Sequence, residues 1–165
     1  EAHNLCVIAP GHHRRIEAGI LSHGQDMDVE TNPYECGLGW QVDLSKEEFI
    51  GKAALQKIKD EGVTHKLAGL RMGGKDITWY PADFYHVFSD GELVGFVTSA
   101  WFSPEQEANI AFAMLPVELT KIGTELTVAL PATYADEPVA AEVVATPFKK
   151  PDSPGTGMLK TGRKL

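Results

Sequence analysis

After Val63 the chain breaks into short runs rich in Val, Leu, Phe and Tyr, separated by turn residues at spacings of about ten, the pattern of an antiparallel barrel or sandwich. Six candidate strands follow, over 66–72, 84–88, 93–99, 109–114, 126–130 and 139–146. Between the second and third, Ser89-Asp90-Gly91 predicts a hairpin turn, because glycine tolerates the positive φ that such turns demand. Six strands are enough to close a small barrel.

Before Val63 the pattern is mixed. The apolar stretch 5–9, closed by Pro10-Gly11, suits a buried strand or an extended entry segment. The spacing of Ile16, Gly19 and Ile20 predicts a helix over 13–21 with Glu17 on the neighbouring face. Residues 25–32 are acidic and polar and stop at Pro33, which predicts an exposed connection. Leu38, Trp40, Val42 and Leu44 alternate with Gly39, Gln41 and Asp43, the period of a strand with one buried face. Ser45-Lys-Glu-Glu48 matches a capping box and predicts a helix from Ser45. Phe49, Ile50, Ala53, Ala54 and Ile58 would form its apolar face, with Gly62 as terminator. From Lys149 onward the chain is rich in Pro, Gly and Lys and reads as a flexible tail. The expected class is α+β: a helix-containing N-terminal segment over 1–63, a six-stranded antiparallel β-barrel over 64–148, and a tail over 149–165.

Composition narrows the function classes. The 165 residues are 43% apolar and 23% charged, the balance of a globular domain able to bury a core. A formal charge of −8 repels phosphate backbones, which argues against nucleic acid as a main partner. The apolar runs fall short of the roughly 20 residues of a membrane span, so a soluble protein without a membrane partner is expected. Cys6 and Cys36 stand in no CxxC spacing and read as buried or idle thiols, with a single disulfide as the alternative. A polar start without a signal-peptide pattern fits a cytoplasmic location, or the mitochondrial matrix in a eukaryote. The start also lacks Met, which suggests a piece of something longer.

Single motifs do not identify a reaction. His12, His13 and Glu17 come nearest to a metal cluster, yet they match no HExxH spacing and read better as hydrogen-bonding side chains. Asp26-Met-Asp28-Val-Glu30 imitates the start of a calcium loop, but Thr31 and Gly37 occupy the positions that need Gly and Glu. No phosphate-binding glycine loop or serine-hydrolase elbow is present. Gly73-Gly74-Lys75 reads as a turn, and the aromatic group around Trp79, Phe84, Tyr85 and Trp101 suits either a planar ligand or a barrel core.

Longer strings say more. Arg15-Ile-Glu-Ala-Gly19, Asn32-Pro-Tyr-Glu-Cys-Gly-Leu-Gly-Trp40, Phe49-Ile-Gly-Lys-Ala-Ala-Leu55 and Val94-Gly-Phe-Val-Thr-Ser-Ala100 follow one another, with Ser103-Pro104 and Asn109-Ile-Ala111 behind them. In order and separation they resemble the C-terminal half of the glycine-cleavage T-protein family, the tetrahydrofolate-dependent aminomethyltransferases. The closing Thr146-Pro-Phe148 resembles the end of that family's barrel domain.

The resemblance implies a parent protein that holds tetrahydrofolate in a central channel and moves a one-carbon unit onto N5 of the pterin. It implies that Glu17, in the family's glutamate position, hydrogen-bonds the pterin; a carboxylate can accept two bonds from the amino and ring N–H edge. Pairing of Glu17 with Arg14 or Arg15 is the ordinary alternative. Lys46, 29 positions beyond Glu17, falls where some members contact the folate tail carboxylates, and a plain solvated lysine is the alternative. Lys150 falls where others carry a basic residue after the terminal Pro-Phe. The resemblance also implies a lipoyl carrier protein as partner. The family's catalytic aspartate lies in an N-terminal half that this chain does not contain, so no catalytic residue is assigned and the isolated chain is expected to be inactive. His12-His13-Arg14-Arg15 and Trp79-Tyr-Pro-Ala-Asp-Phe-Tyr85 depart from the usual aminomethyltransferase pattern and lean toward relatives that demethylate oxygen, sulfur or amine substrates. A non-catalytic folate-binding or interaction module is a further alternative.

Overall fold

The structure, a computed structural model, describes residues 11–79 and 83–149. Six strands, β1 His65–Met72, β2 Tyr85–Ser89, β3 Glu92–Ser103, β4 Ala108–Pro116, β5 Glu125–Val128 and β6 Val139–Val144, alternate with short turns. All neighbours are antiparallel, and the order β1-β4-β3-β2-β5-β6 closes on itself. Closure leaves the sheet without a free edge. The α+β reading with a six-stranded antiparallel barrel is therefore correct. The hairpin between β2 and β3 turns through Asp90 and Gly91, with φ of 51° and 84°, the positive-φ pair that matches the strand twist.

The barrel fills its own interior. Leu70, Val87, Val97, Ala113, Leu115, Val128 and Val143 are buried there. A second cluster of Ile16, Ile110 and Phe112 forms outside the barrel, packed by Leu21, Leu67, Trp101 and Phe148. Helix α1, His12–Glu17, thus covers the outer face of β4. Burial of β4 on both faces explains why 110–117 is an almost unbroken apolar run where a half-exposed strand would alternate.

Strand β3 departs from regular register against β4 between Val97 and Ser99. An inserted residue breaks the alternation of side chains. Thr98 and Ser99 are both buried, and both bond to the N-terminal segment. The irregularity therefore positions two consecutive polar side chains toward α1 and the loop behind it.

Three expectations for the N-terminal part fail. The strand over 38–44 is a 3-10 turn at Gly39–Gln41, closed by Leu38 N–H donating to the Pro33 carbonyl at 2.7 Å and Gln41 N–H to the Leu38 carbonyl at 2.9 Å. Alternation alone makes no strand without a partner, and Trp40 is left exposed. The helix expected from Ser45 begins instead at α2, Lys52–Glu61. Ser45 sits in a turn whose N–H and hydroxyl both donate to Asp43 Oδ1, at 3.0 and 2.6 Å, an Asx-type turn that competes with a helix start. Gly51, at φ 89°, then delivers the chain into the helix. The apolar face assigned to this helix is not buried among the described residues: no residue of α2 is buried, Ile58 is only partly covered, and Ile50 is fully exposed. The helix over 13–21 is real but ends at Glu17, since Gly19 adopts φ 73° and breaks the turn. Residues 5–9 and most of the expected tail lie outside the described residues.

Candidate functional site

Arginine 15 anchors the N-terminal segment to the barrel. Its guanidinium pairs with Asp26 Oδ2 at 2.7 Å, where the Asp26 side chain is wholly buried. The same carboxylate accepts from Ser22 N–H at 2.8 Å and from the Thr98 hydroxyl at 2.6 Å. Nη2 of Arg15 donates to Ser99 Oγ at 2.6 Å and to Gln25 Oε1 at 3.2 Å, and Nη1 donates to the Ile20 carbonyl. A buried ion pair needs its remaining lone pairs and protons satisfied. This one meets that condition through both chain segments it joins.

His12 completes this cluster. Arg15 Nε donates to its Nδ1 at 3.3 Å, and its ring stands 5.1 Å from that of Trp101. Burial first, then the Arg15 charge, lowers the His12 pKa to about 4, against a smaller opposing pull from Asp26. The imidazole is neutral at pH 7 and accepts from Arg15.

Glu17, at the end of α1, faces the turn after β3. Its residue is 2% exposed. The Ser103 hydroxyl donates to Oε1, and the Lys149 ammonium pairs with Oε2 at 3.2 Å. Lys149 also pairs with Glu105, and these two carboxylates hold its pKa above the usual lysine value against a smaller opposing effect of burial. The backbone repeats the connection: Lys149 N–H donates to the Glu17 carbonyl at 3.1 Å. Gln106 ties the same corner, its N–H donating to Ser103 Oγ and its side-chain amide to the Phe148 carbonyl.

The residues singled out from sequence fare differently. Glu17 is in a built polar site, but Arg14 and Arg15 are not its partners. Arg15, two positions away, does not face Glu17 and is drawn to Asp26, while Arg14 is exposed and the ion pair of the buried Glu17 goes to Lys149. Lys46 is exposed beside the Asp43 turn, its carbonyl accepting from Lys52, and no ion pair joins it to Glu17. Lys150 lies outside the described residues, while its neighbour Lys149 reaches the glutamate. Ser103, Asp26 and Lys149 were missed as site residues. Ser103 and Phe148 already stood in the strings that carried the resemblance, and Lys149 directly follows one of them. Cys36 is a free, buried thiol whose pKa is raised by burial and by Glu35.

A cleft of about 530 Å³ lies beside this cluster, lined by Gly11, His12, Arg15, Ser22, His23 and Gln25. A cavity of about 710 Å³ lies instead among Arg71, Phe88, Asp90, Glu125 and Glu142 and touches neither the Arg15–Asp26 cluster nor Glu17. Among the described residues no group of three or more His, Cys, Asp or Glu could hold a metal ion, and no helix is long and apolar enough to cross a membrane.

The donor chemistry of a pterin edge suits Glu17. A carboxylate offers about four acceptor positions, and Ser103 and Lys149 occupy one on each oxygen. By that count one position per oxygen has no donor among the described residues, in a residue that is 2% exposed. Of its two side-chain partners, Ser103 is buried and the Lys149 side chain is 21% exposed.

Comparisons with known proteins bear on the family and the fold. Residues 65–150 match the glycine cleavage T-protein C-terminal barrel domain. The chain is 44% identical over 135 residues to an aminomethyltransferase of Synechococcus sp. (strain RCC307), covering 81% of this chain and 36% of that protein. It is 39% identical over 136 residues to an aminomethyltransferase of Halalkalibacterium halodurans, covering 82% and 35%. The crystal structure of glycine cleavage system aminomethyltransferase T from Bartonella henselae superposes with a TM-score of 0.73 at 27% identity, covering 84% of this chain and 37% of that one. The chain thus spans about a third of the length of these relatives. Fold, ordered strings and barrel match together establish that the chain belongs to the glycine cleavage T-protein C-terminal barrel domain family.

Proposed function

We propose that this chain is the C-terminal part of a tetrahydrofolate-dependent one-carbon transferase of the aminomethyltransferase kind. The observation that carries the reading is the extent of the likeness: 135 aligned residues at 44% identity cannot all lie within the 65–150 barrel match, so the likeness also takes in the N-terminal segment. In this reading residues 1–63 end a folate-binding region, 64–148 form the barrel, and 149–165 are a tail. A lipoyl carrier protein delivers the aminomethyl group, in the cytoplasm or the mitochondrial matrix.

Bound tetrahydrofolate supplies the N5 nitrogen that takes up the one-carbon unit. This chain's residues bind and orient. Glu17 accepts two hydrogen bonds from the pterin, and charge-assisted bonds of that kind are strong and directional. The Arg15–Asp26 pair fixes α1 on β3, so that the carboxylate stands in one place. Lys46 and Lys150 contact the folate tail carboxylates. The run His12-His13-Arg14-Arg15 gives no support to a demethylase, because His12 and Arg15 are engaged in anchoring.

Calorimetric titration of 5-formyltetrahydrofolate into the chain, and into the longer polypeptide that carries it, tests the reading. Saturable binding weakened about tenfold or more in Glu17→Gln is the expected result, the loss of one charge-assisted bond. Absence of binding in both polypeptides would contradict it.

A further inference from the structure

Helix α1 is too short to stand alone. It has six residues, and helices of that length depend on what they pack against. One support is the Arg15–Asp26 pair, tied to Thr98 and Ser99 of β3. Others come from the far end of the described chain. Phe148 packs against the cluster of Ile16, Ile110 and Phe112, its ring 6.0 Å from that of Phe112. Lys149 N–H donates to the Glu17 carbonyl at 3.1 Å, and the Lys149 ammonium is shared between Glu17 and Glu105.

Residues 145–149 form a strap that leaves β6 after Val144 and sits over two glycines. A Cβ at Gly69 of β1 would collide with the Thr146 side chain and come within 3.1 Å of the Phe148 ring. A Cβ at Gly19, just past α1, would come within 3.3 Å of Pro147. The side chains missing at both positions leave the room that the strap occupies. Gln106 fixes the strap from the β3–β4 turn by donating to the Phe148 carbonyl at 3.2 Å. Barrel closure needs none of these contacts, because the β1–β6 pairing ends at Val144 opposite Gly69. Toward its other end α1 lines the cleft of about 530 Å³, where His12 and Arg15 stand with Ser22, His23 and Gln25.

We propose that residues 145–149 are a latch on α1. Seated, the latch holds the helix against β3 and β4 and keeps His12 and Arg15 in place as one wall of the cleft. Unseated, it frees the helix and deforms the cleft while the barrel stays closed. The shape of the cleft is thereby governed by a segment that does not line it. The inference stands apart from the folate reading, since Glu17 enters it only as an anchor for Lys149.

Amide hydrogen exchange of the whole chain, followed by NMR without any ligand, tests it. Lys149→Met removes the ammonium, whereas Gly69→Ala removes no contact and adds one methyl group under the strap. Each is expected to speed exchange of the Ala18, Gly19 and Ile20 amides, which donate within the end of α1, by about tenfold or more, with β5 and β6 unchanged. Lys149→Arg restores the slow rate. Titration of the His12 ring reads the cleft end. Its pKa lies near 4, lowered by burial and by Arg15, with Asp26 and His13 the other titratable groups acting on it, and neither variant alters any of these. Unseating the latch is expected to move this pKa toward 6.5. Unchanged α1 exchange in both variants would overturn the proposal. Equal acceleration in β5 and β6 would do the same, by making the strap part of the barrel fold. So would a His12 titration that stays near 4 while α1 loosens, since the cleft would then be uncoupled from the strap.

Discussion

The barrel and the segment around α2 both carry many apolar residues but handle them in opposite ways. Barrel residues such as Leu70, Ala113 and Val128 have no solvent exposure, because a closed sheet supplies an inside. In and before α2, Trp40 and Ile50 stand in solvent, and the helix buries none of its ten residues. Helix α1 lies between these extremes: only six residues long, it is held by Ile16 and by two polar clusters on β3 and the turn beyond it. Burial here depends on what an element meets, and an amphipathic pattern shows only that it could be buried.

The largest expected effect breaks the contrast directly. Phe112→Ala, at the seam between α1 and β4, removes a ring that is 2% exposed and should cost about 3–5 kcal/mol in urea denaturation. Ile50→Ala should stay within about 0.5 kcal/mol. Comparable losses from the two would show that the α2 region packs in solution as firmly as the barrel. Next in size is the ion pair under α1. Asp26→Ala leaves Arg15 without its buried partner and should cost about 3 kcal/mol in the same assay, with much of the loss recovered when Arg15→Met is added. The exposed pair Lys57–Glu61 on α2, 3.8 Å apart, offers the opposite case, and Lys57→Ala should change stability by less than about 0.5 kcal/mol.

A pH effect sharpens the same comparison. His12 titrates near 4 in the folded chain against 6.5 for the free side chain. Between those values the unfolded chain binds more protons, so stability rises with pH. The contribution is complete above pH 6.5 and is lost as pH falls through about 4. Unfolding free energies measured across that window should show the slope in the unsubstituted chain and a flatter profile in His12→Gln. No such histidine lies in α2.

How much could be read in advance follows the same physical division. All six strands were legible, because alternation, turn residues and the Asp90-Gly91 hairpin agree with one another at each boundary. The strand at 38–44 and the helix from Ser45 were misread because each rested on one local pattern. Asp43 captured the Ser45 amide and hydroxyl, and Gly39 lies so close under the Tyr34 ring that a Cβ would come within 2.6 Å of it. In the site, Glu17 stood out through its surrounding string. Its partners did not, since Ser103 is 86 positions away and Lys149 lies still farther along the chain. Pairing over such separations is decided by the barrel's closure and by the β3 irregularity at Val97 to Ser99, neither of which leaves a local signature.

Hydrogen exchange across the chain, with and without 5-formyltetrahydrofolate, tests the central claim most directly. The account predicts added protection around Glu17, at the turn carrying Ser103 and Gln106, and at Lys149, with the far barrel strands β5 and β6 unchanged. Protection confined to the cavity at Arg71 and Glu142, or no change with folate bound, would contradict it.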